Sequence, residues 1–216
     1  MTIKAIIFDM DGVLVNSEIA YIQLWQTFLA ENGASASFAD LRFLAGSSRQ
    51  IENQFFSKLL NLSISDFEQK KNKFYMQHPI NYKEIQRPYV NTLLNYLKEK
   101  KIEIALASSS PMENIIDVLT QCKIRDYFSF LISGEMFEKT KPDPQIYEYT
   151  VQQLGYKKEE IFAVEDSEYG IESASAAGLR VIALLDPVFN FNVSKADFKI
   201  STLKDAIPII ERRNTI

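Results

Sequence analysis

Four stretches of this 216-residue chain place reactive side chains just past apolar runs. The run at residues 3–8 gives way to Asp9-Met10-Asp11-Gly12, and the run at 102–107 to Ser108-Ser109-Ser110. After the run at 130–132 comes Lys141-Pro142-Asp143-Pro144, and the run at 161–164 ends in Glu165-Asp166-Ser167. Each stretch has a plain reading. Two aspartates can form a turn, Ser110 can cap a helix, and a lysine or an acidic pair can be solvated. Yet two carboxylates at i and i+2 leaving a buried strand are costly unless something cationic holds them. Hydroxyls and free N–H groups at a helix start suit a phosphate, and capping needs only Ser110. Taken together, hard oxygen ligands are what Mg²⁺ takes, and serine with lysine is what a phosphoryl group takes. A carboxylate nucleophile beside Mg²⁺ points to phosphoryl transfer through an aspartyl-phosphate.

The runs that carry these groups, with a fifth at 181–185, are short and apolar, as buried parallel strands are. Helical patterns lie between them. Ser110-Pro111-Met112-Glu113 reads as an N-cap, a first-turn proline and a capping-box glutamate, followed by Ile115, Leu119 and Cys122 at helical spacing. Asp143-Pro144 opens a second helix, with Tyr147, Val151 and Leu154 on one face and Gly155 as its stop. Ser167 caps a third, which runs through Ile171 and Ala174 to Gly178. This alternation predicts an α/β fold: a doubly wound, Rossmann-like parallel sheet. In such sheets ligands bind beyond the carboxyl ends of the strands, which is where the reactive groups lie. Residues 16–86 break the alternation, carry no convincing strand and are rich in helix formers and aromatics. They read as an α-helical insertion on a two-stranded tether, leaving 1–15 and 87–216 as the core domain.

Composition narrows the function classes. Apolar residues make up 46% and charged residues 24%, and 24 basic against 28 acidic side chains leave a net charge of −4. No basic block interrupts that balance, so the footprint of a nucleic-acid binder is missing. Lys70, Lys71 and Lys73 read as a solvated helix face. The single cysteine, Cys122, suits a reducing compartment and reads as core packing. The first apolar run is too short for a signal segment or a membrane span. The expectation is a cytoplasmic monomer with no membrane or nucleic-acid partner.

At this point the chain resembles a known family. Residues 8–14 (Phe-Asp-Met-Asp-Gly-Val-Leu), Ala107-Ser108-Ser109-Ser110, Lys141-Pro142 and Glu165-Asp166-Ser167 are similar, in order, to the four motifs of the haloacid dehalogenase-like superfamily. The branch with β-phosphoglucomutase and small sugar-phosphate phosphatases is the most similar, and the helical insertion resembles that branch's cap domain. The resemblance implies Asp9 as the nucleophile and Asp11 as the general acid/base. It implies Ser108, Ser109 and Lys141 as phosphate ligands, and Mg²⁺ held by Asp9, the Asp11 carbonyl, Glu165 and Asp166. The implied activity is a phosphatase acting on a small phosphorylated metabolite, with a sugar phosphate as the expected substrate. A β-phosphoglucomutase is the alternative, and a non-catalytic ligand-binding module a distant one.

The cap residues are where the branch chooses its substrate. Gly46-Ser47-Ser48-Arg49 resembles a cap loop in which Arg49 grips a distal phosphate, though an ordinary turn with a solvated arginine reads equally well. Trp25 matches the mutase-like pattern, while a lone tryptophan in a helix also reads as core. Lys71 falls near another cap cation of the mutase but reads as a surface lysine, and His78 as a surface residue. Three positions depart from the pattern: Tyr21 stands where the mutase has a histidine, Asn16 replaces an acidic hinge residue, and Tyr89 sits where glycine is common. The first of these weighs against mutase activity, and Tyr89 is expected to stiffen the return hinge.

Overall fold

A computed structural model describes residues 2–47 and 49–214, without the side chains of Arg49 and Arg213. Among the described residues six strands form one sheet: β1 (Ala5–Phe8), β2 (Glu103–Ser108), β3 (Phe130–Ser133), β4 (Ile161–Glu165), β5 (Arg180–Leu184) and β6 (Phe198–Ile200). Their order is β3-β2-β1-β4-β5-β6 and every pairing is parallel. The sheet is therefore doubly wound from β1 outward, as the strand–helix alternation predicts. Three-residue β6 has no counterpart in the sequence reading, because an edge strand with Lys199 at its centre carries almost no apolar signal.

The helices are α1 (Ser17–Glu31), α2 (Phe38–Leu41), α3 (Arg49–Leu59), α4 (Ile64–Gln77), α5 (Val90–Glu99), α6 (Met112–Gln121), α7 (Gln145–Leu154), α8 (Glu168–Ala176) and α9 (Ala206–Asn214). The first four belong to one compact unit, residues 17–81, and the rest to another, residues 1–16 with 82–216. None of them is long and apolar enough to cross a membrane.

In the sheet unit, Ala5 and Ile7 of β1 and Ala105 and Ala107 of β2 share a buried cluster with Ile146, Tyr147, Leu154, Ile171 and Ala174 from α7 and α8. The small residues let those helices lie close on the strands. Ile6, Phe8 and Leu106, with alternating side chains, line the opposite face and are just as buried. The two segments that lead to and from the helical unit pair with each other inside the sheet unit. Asn16 donates its N–H to Ile85 at 2.8 Å, Arg87 donates to Leu14 at 2.8 Å, and Val15 bridges Gln86. Tyr82 anchors the return segment on α6, taking Gln121 Oε1 through its N–H at 3.0 Å and Asn114 Oδ1 through its hydroxyl at 2.9 Å. Residues 82–86 thus belong to the sheet unit rather than to the unit of residues 17–81.

The helical unit has an aromatic core. Trp25 stacks on Phe56 at 4.2 Å and on Phe67 at 5.9 Å, with Phe28 edge-on at 5.5 Å. Lys71 corrects its reading as a surface side chain: it is 4% exposed, with Nζ 2.9 Å from Glu52 Oε1 and 2.9 Å from Asn53 Oδ1. A buried ammonium needs such partners, and they come from α3, which the periodicity of α4 does not reveal. His78 is half-buried rather than on the open surface, its ring stacked on Phe74 at 4.1 Å.

Candidate active site

Parallel pairing sets Phe8 against both Leu106 and Val164, so β1, β2 and β4 end at one edge. Asp9, Ser108 and Glu165 leave or close those strands there and are all buried. Lys141 reaches them from the segment before α7. Its Nζ donates to Asp9 Oδ1 at 2.7 Å, to Glu165 Oε1 at 2.6 Å and to the Ala107 carbonyl at 3.0 Å. One ammonium therefore ties the ends of three strands together.

Glu165 is fully buried and its oxygens are heavily used. Oε1 also accepts the Tyr147 hydroxyl at 2.7 Å, and Oε2 accepts the Asp166 N–H at 3.2 Å. Gly170 of α8 leaves it room, since a Cβ there would collide with the Glu165 carboxylate. Ser167 caps α8 as its sequence predicts, accepting the Gly170 N–H at 3.0 Å. Tyr147, read from spacing as core, puts its ring in the core and its hydroxyl in the site. That reach is a property of the tertiary fold.

Charge in this cluster is out of balance. Burial pushes the Asp9 carboxyl well above its usual range; Lys141 pulls against that shift, while Glu165 and Asp11 add to it. Burial works against the Lys141 ammonium, but Asp9 and Glu165 hold its pKa above that of an ordinary lysine. Asp9, Glu165 and Asp166 each bring a carboxylate oxygen within 4.8 Å of the others. A buried, all-oxygen donor set facing one lysine suits a hard divalent cation such as Mg²⁺. The approach to Asp166 is shaped by Gly12, whose φ is +80° and where any Cβ would collide with Asp166 Oδ2. Only glycine meets both demands at once.

Asp11 is half-buried and accepts the Ser110 hydroxyl at 2.7 Å. This corrects the capping-box reading of Ser110. Helix α6 begins at Met112 with Pro111 in the N-cap position, and no side chain of its own caps it. Glu135 takes the Met112 N–H at 3.0 Å instead, which frees Ser110 for Asp11. Ser108 Oγ accepts the Ser110 N–H at 3.1 Å and is fully buried, whereas Ser109 is exposed. Asp166 also lines a cavity of about 440 Å³ with Leu185, Asp186 and Asn190. Asp186 follows the fifth apolar run, so the strand-end rule that singles out Asp9 and Glu165 applies to it equally.

Of the residues singled out in the helical unit, Trp25 is 2% exposed among other aromatics, an environment that fits packing. Gly46 turns at φ +70° and donates its N–H to Glu18 Oε1 at 3.1 Å. Ser48 lies outside the described residues, and so does the side chain of Arg49.

A family model for haloacid dehalogenase-like hydrolases matches residues 6–184. A phosphorylated carbohydrates phosphatase from Thermotoga maritima is 30% identical over 182 residues, 83% of each chain. Hexitol phosphatase B of Escherichia coli is 29% identical over 228 residues, 94% of each chain. Among solved structures, a β-phosphoglucomutase from Clostridium difficile superposes with a TM-score of 0.79 at 22% identity, over 99% of this chain and 98% of that one.

Proposed function

Since this chain belongs to the haloacid dehalogenase-like hydrolase family, we propose that it is an Mg²⁺-dependent phosphatase that works through an aspartyl-phosphate on Asp9. Its substrate class is small phosphorylated metabolites, sugar phosphates above all, as the names of its relatives suggest. The observation that carries the reading is a buried strand-end carboxylate, Asp9, held by Lys141 at 2.7 Å, with Asp11 two residues on and bonded to Ser110.

In the proposed reaction a carboxylate oxygen of Asp9 forms a bond to phosphorus as the bond from phosphorus to the substrate oxygen breaks. The Asp11 carboxyl gives its proton to that departing oxygen. A water then attacks phosphorus while the Asp11 carboxylate takes its proton. The bond to Asp9 breaks, releasing phosphate and restoring the carboxylate. Ser108, Ser109 and Lys141 are the proposed phosphate ligands, and Lys141 also keeps Asp9 in place. Mg²⁺, held by Asp9, the Asp11 carbonyl, Asp166 and Glu165, would offset negative charge on the phosphoryl group. The helical unit is read as the family's cap, with Arg49 as the grip for a substrate's second phosphate. Phosphate release from p-nitrophenyl phosphate and from a panel of sugar phosphates tests the reading, and Asp9→Asn must abolish it. Full turnover in Asp9→Asn would sink the aspartyl-phosphate route.

Retention of the Gly46 turn, held by Glu18, favours β-phosphoglucomutase as a second reading, and Tyr21 in place of the mutase histidine opposes it. Conversion of β-glucose 1-phosphate to glucose 6-phosphate faster than phosphate release would decide for the mutase.

A further inference from the structure

Arg87 takes no part in the proposed reaction, yet it joins two loops at the catalytic edge. Its backbone N–H donates to the Leu14 carbonyl at 2.8 Å. Its Nε donates to the Gly12 carbonyl at 2.9 Å, and Nη2 meets Asp186 Oδ2 at 2.6 Å. The turn after Asp11 is thus gripped twice, once by main chain and once by side chain. Both partners of the ion pair are largely buried, with side chains 16% and 4% exposed. Asp186 is itself fixed, because its Oδ1 accepts the N–H groups of Val188 at 2.8 Å and Phe189 at 3.1 Å. The rigid fork of a guanidinium serves the carbonyl and the carboxylate from two separate nitrogens held in one plane, whereas a lysine offers all its donors from a single nitrogen on a flexible stem.

The turn so held is the one on which the site depends. Gly12 sits at φ +80°, donates its N–H to Val15 at 2.8 Å, and presses its backbone against the Asp166 carboxylate. Asp11 precedes it directly. A displacement of this turn moves Asp11 away from its station and opens or closes the approach to Asp166 in the same motion. Sub-ångström placement of such groups governs rate more than it governs binding.

We infer that Arg87 is a positioning residue that acts through the Gly12 carbonyl and Asp186 to fix the turn carrying Asp11 beside Asp166. The kinetic part of this rests on the phosphatase reading; the structural part stands without it.

The test is Arg87→Ala, read by amide hydrogen exchange and by steady-state kinetics on the sugar phosphate the wild type turns over fastest, whose leaving group needs the Asp11 proton, with saturating Mg²⁺. Amides of residues 12–15 should exchange about tenfold faster while those of β2 and α8 keep wild-type rates, since local opening is independent of the global kind. Turnover should fall by about 10- to 100-fold with KM within about twofold of wild type. Arg87→Lys, which keeps the charge without the fork, should recover less than half of the lost turnover, and it supplies the same readings if the alanine variant does not fold. Unchanged exchange at 12–15, faster exchange spread over the whole sheet unit, or full rescue by lysine would each overturn the inference. If the wild-type protein hydrolyses no phosphomonoester, the phosphatase reading fails, and the exchange contrast alone decides on Arg87.

Discussion

Ser110 and Asp11, 99 positions apart in the chain, share a hydrogen bond of 2.7 Å from the serine hydroxyl to the carboxylate. A serine at a helix start ordinarily spends its oxygen on the N–H groups of the first turn. Here Glu135 serves Met112, the first residue of α6, and Pro111 occupies the N-cap position. The Ser110 hydroxyl is thereby available to orient the proposed acid/base.

Removal of that bond should show in the leaving group. Ser110→Ala is expected to lower kcat on a sugar phosphate by about tenfold, near the low end of what a hydrogen bond to a charged group contributes. The loss on p-nitrophenyl phosphate should be smaller, because that leaving group needs little protonation. Equal losses on both substrates would detach Ser110 from proton transfer.

Tyr147 serves Glu165 in the same way, through its hydroxyl. Burial, with Glu165 and Asp9, raises the Tyr147 pKa well above the usual phenol range, so it stays protonated and donates at 2.7 Å. Tyr147→Phe leaves a fully buried carboxylate one donor short, at an expected cost of about 1–3 kcal/mol in urea unfolding. Lys141→Met should cost more, about 3–5 kcal/mol, because Asp9 and Glu165 then lose their shared cation.

The Arg87–Asp186 pair has an acid signature. Burial opposes the Asp186 carboxylate, but hydrogen bonds from Arg87 and from the N–H groups of Phe189 and Val188 bring its pKa below the ordinary value. A depressed folded pKa means that the unfolded chain takes up its proton first as pH falls. The contribution is therefore complete above about pH 4, the ordinary range for aspartate, and is lost below it. The stability gap between wild type and Asp186→Asn, measured by thermal melts, should be flat from neutral pH down to that point and narrow below it. A gap that widens on acidification would contradict the assignment.

Cys122 closes α6, is 6% exposed, and lies 3.5 Å from the Tyr82 carbonyl. Burial, with a contribution from Asp117, pushes its thiol up to about 11. Reaction with iodoacetamide at neutral pH should be negligible in the native protein and prompt after unfolding, because the thiolate is the reactive form. Mass spectrometry of the intact chain reads both states.

Much of this protein is written locally in its sequence. Short apolar runs separated by capped helical patterns determine a parallel α/β sheet, because strands buried on both faces need no alternation and helices need punctuated ends. Asp9, Asp11, Ser108, Glu165 and Asp166 stand out because polar groups at the end of a buried run demand an explanation, while Lys141, well past its run, stands out only beside Pro142 in the motif that it resembles. Other features depend on partners distant in the chain. Ser110 bonds Asp11 rather than its own helix because Glu135 is near Met112. Lys71 is buried because α3 brings Glu52 and Asn53 to it. Tyr147 and Arg87 join the site through atoms at the tips of their side chains, where periodicity carries no information. Hydrophobic pattern and capping act between near neighbours and are readable along the chain. The partner of a buried polar group is chosen by the packing of segments far apart in the chain, as Lys141 and Asp9 are at 132 positions, and only the folded structure decides it.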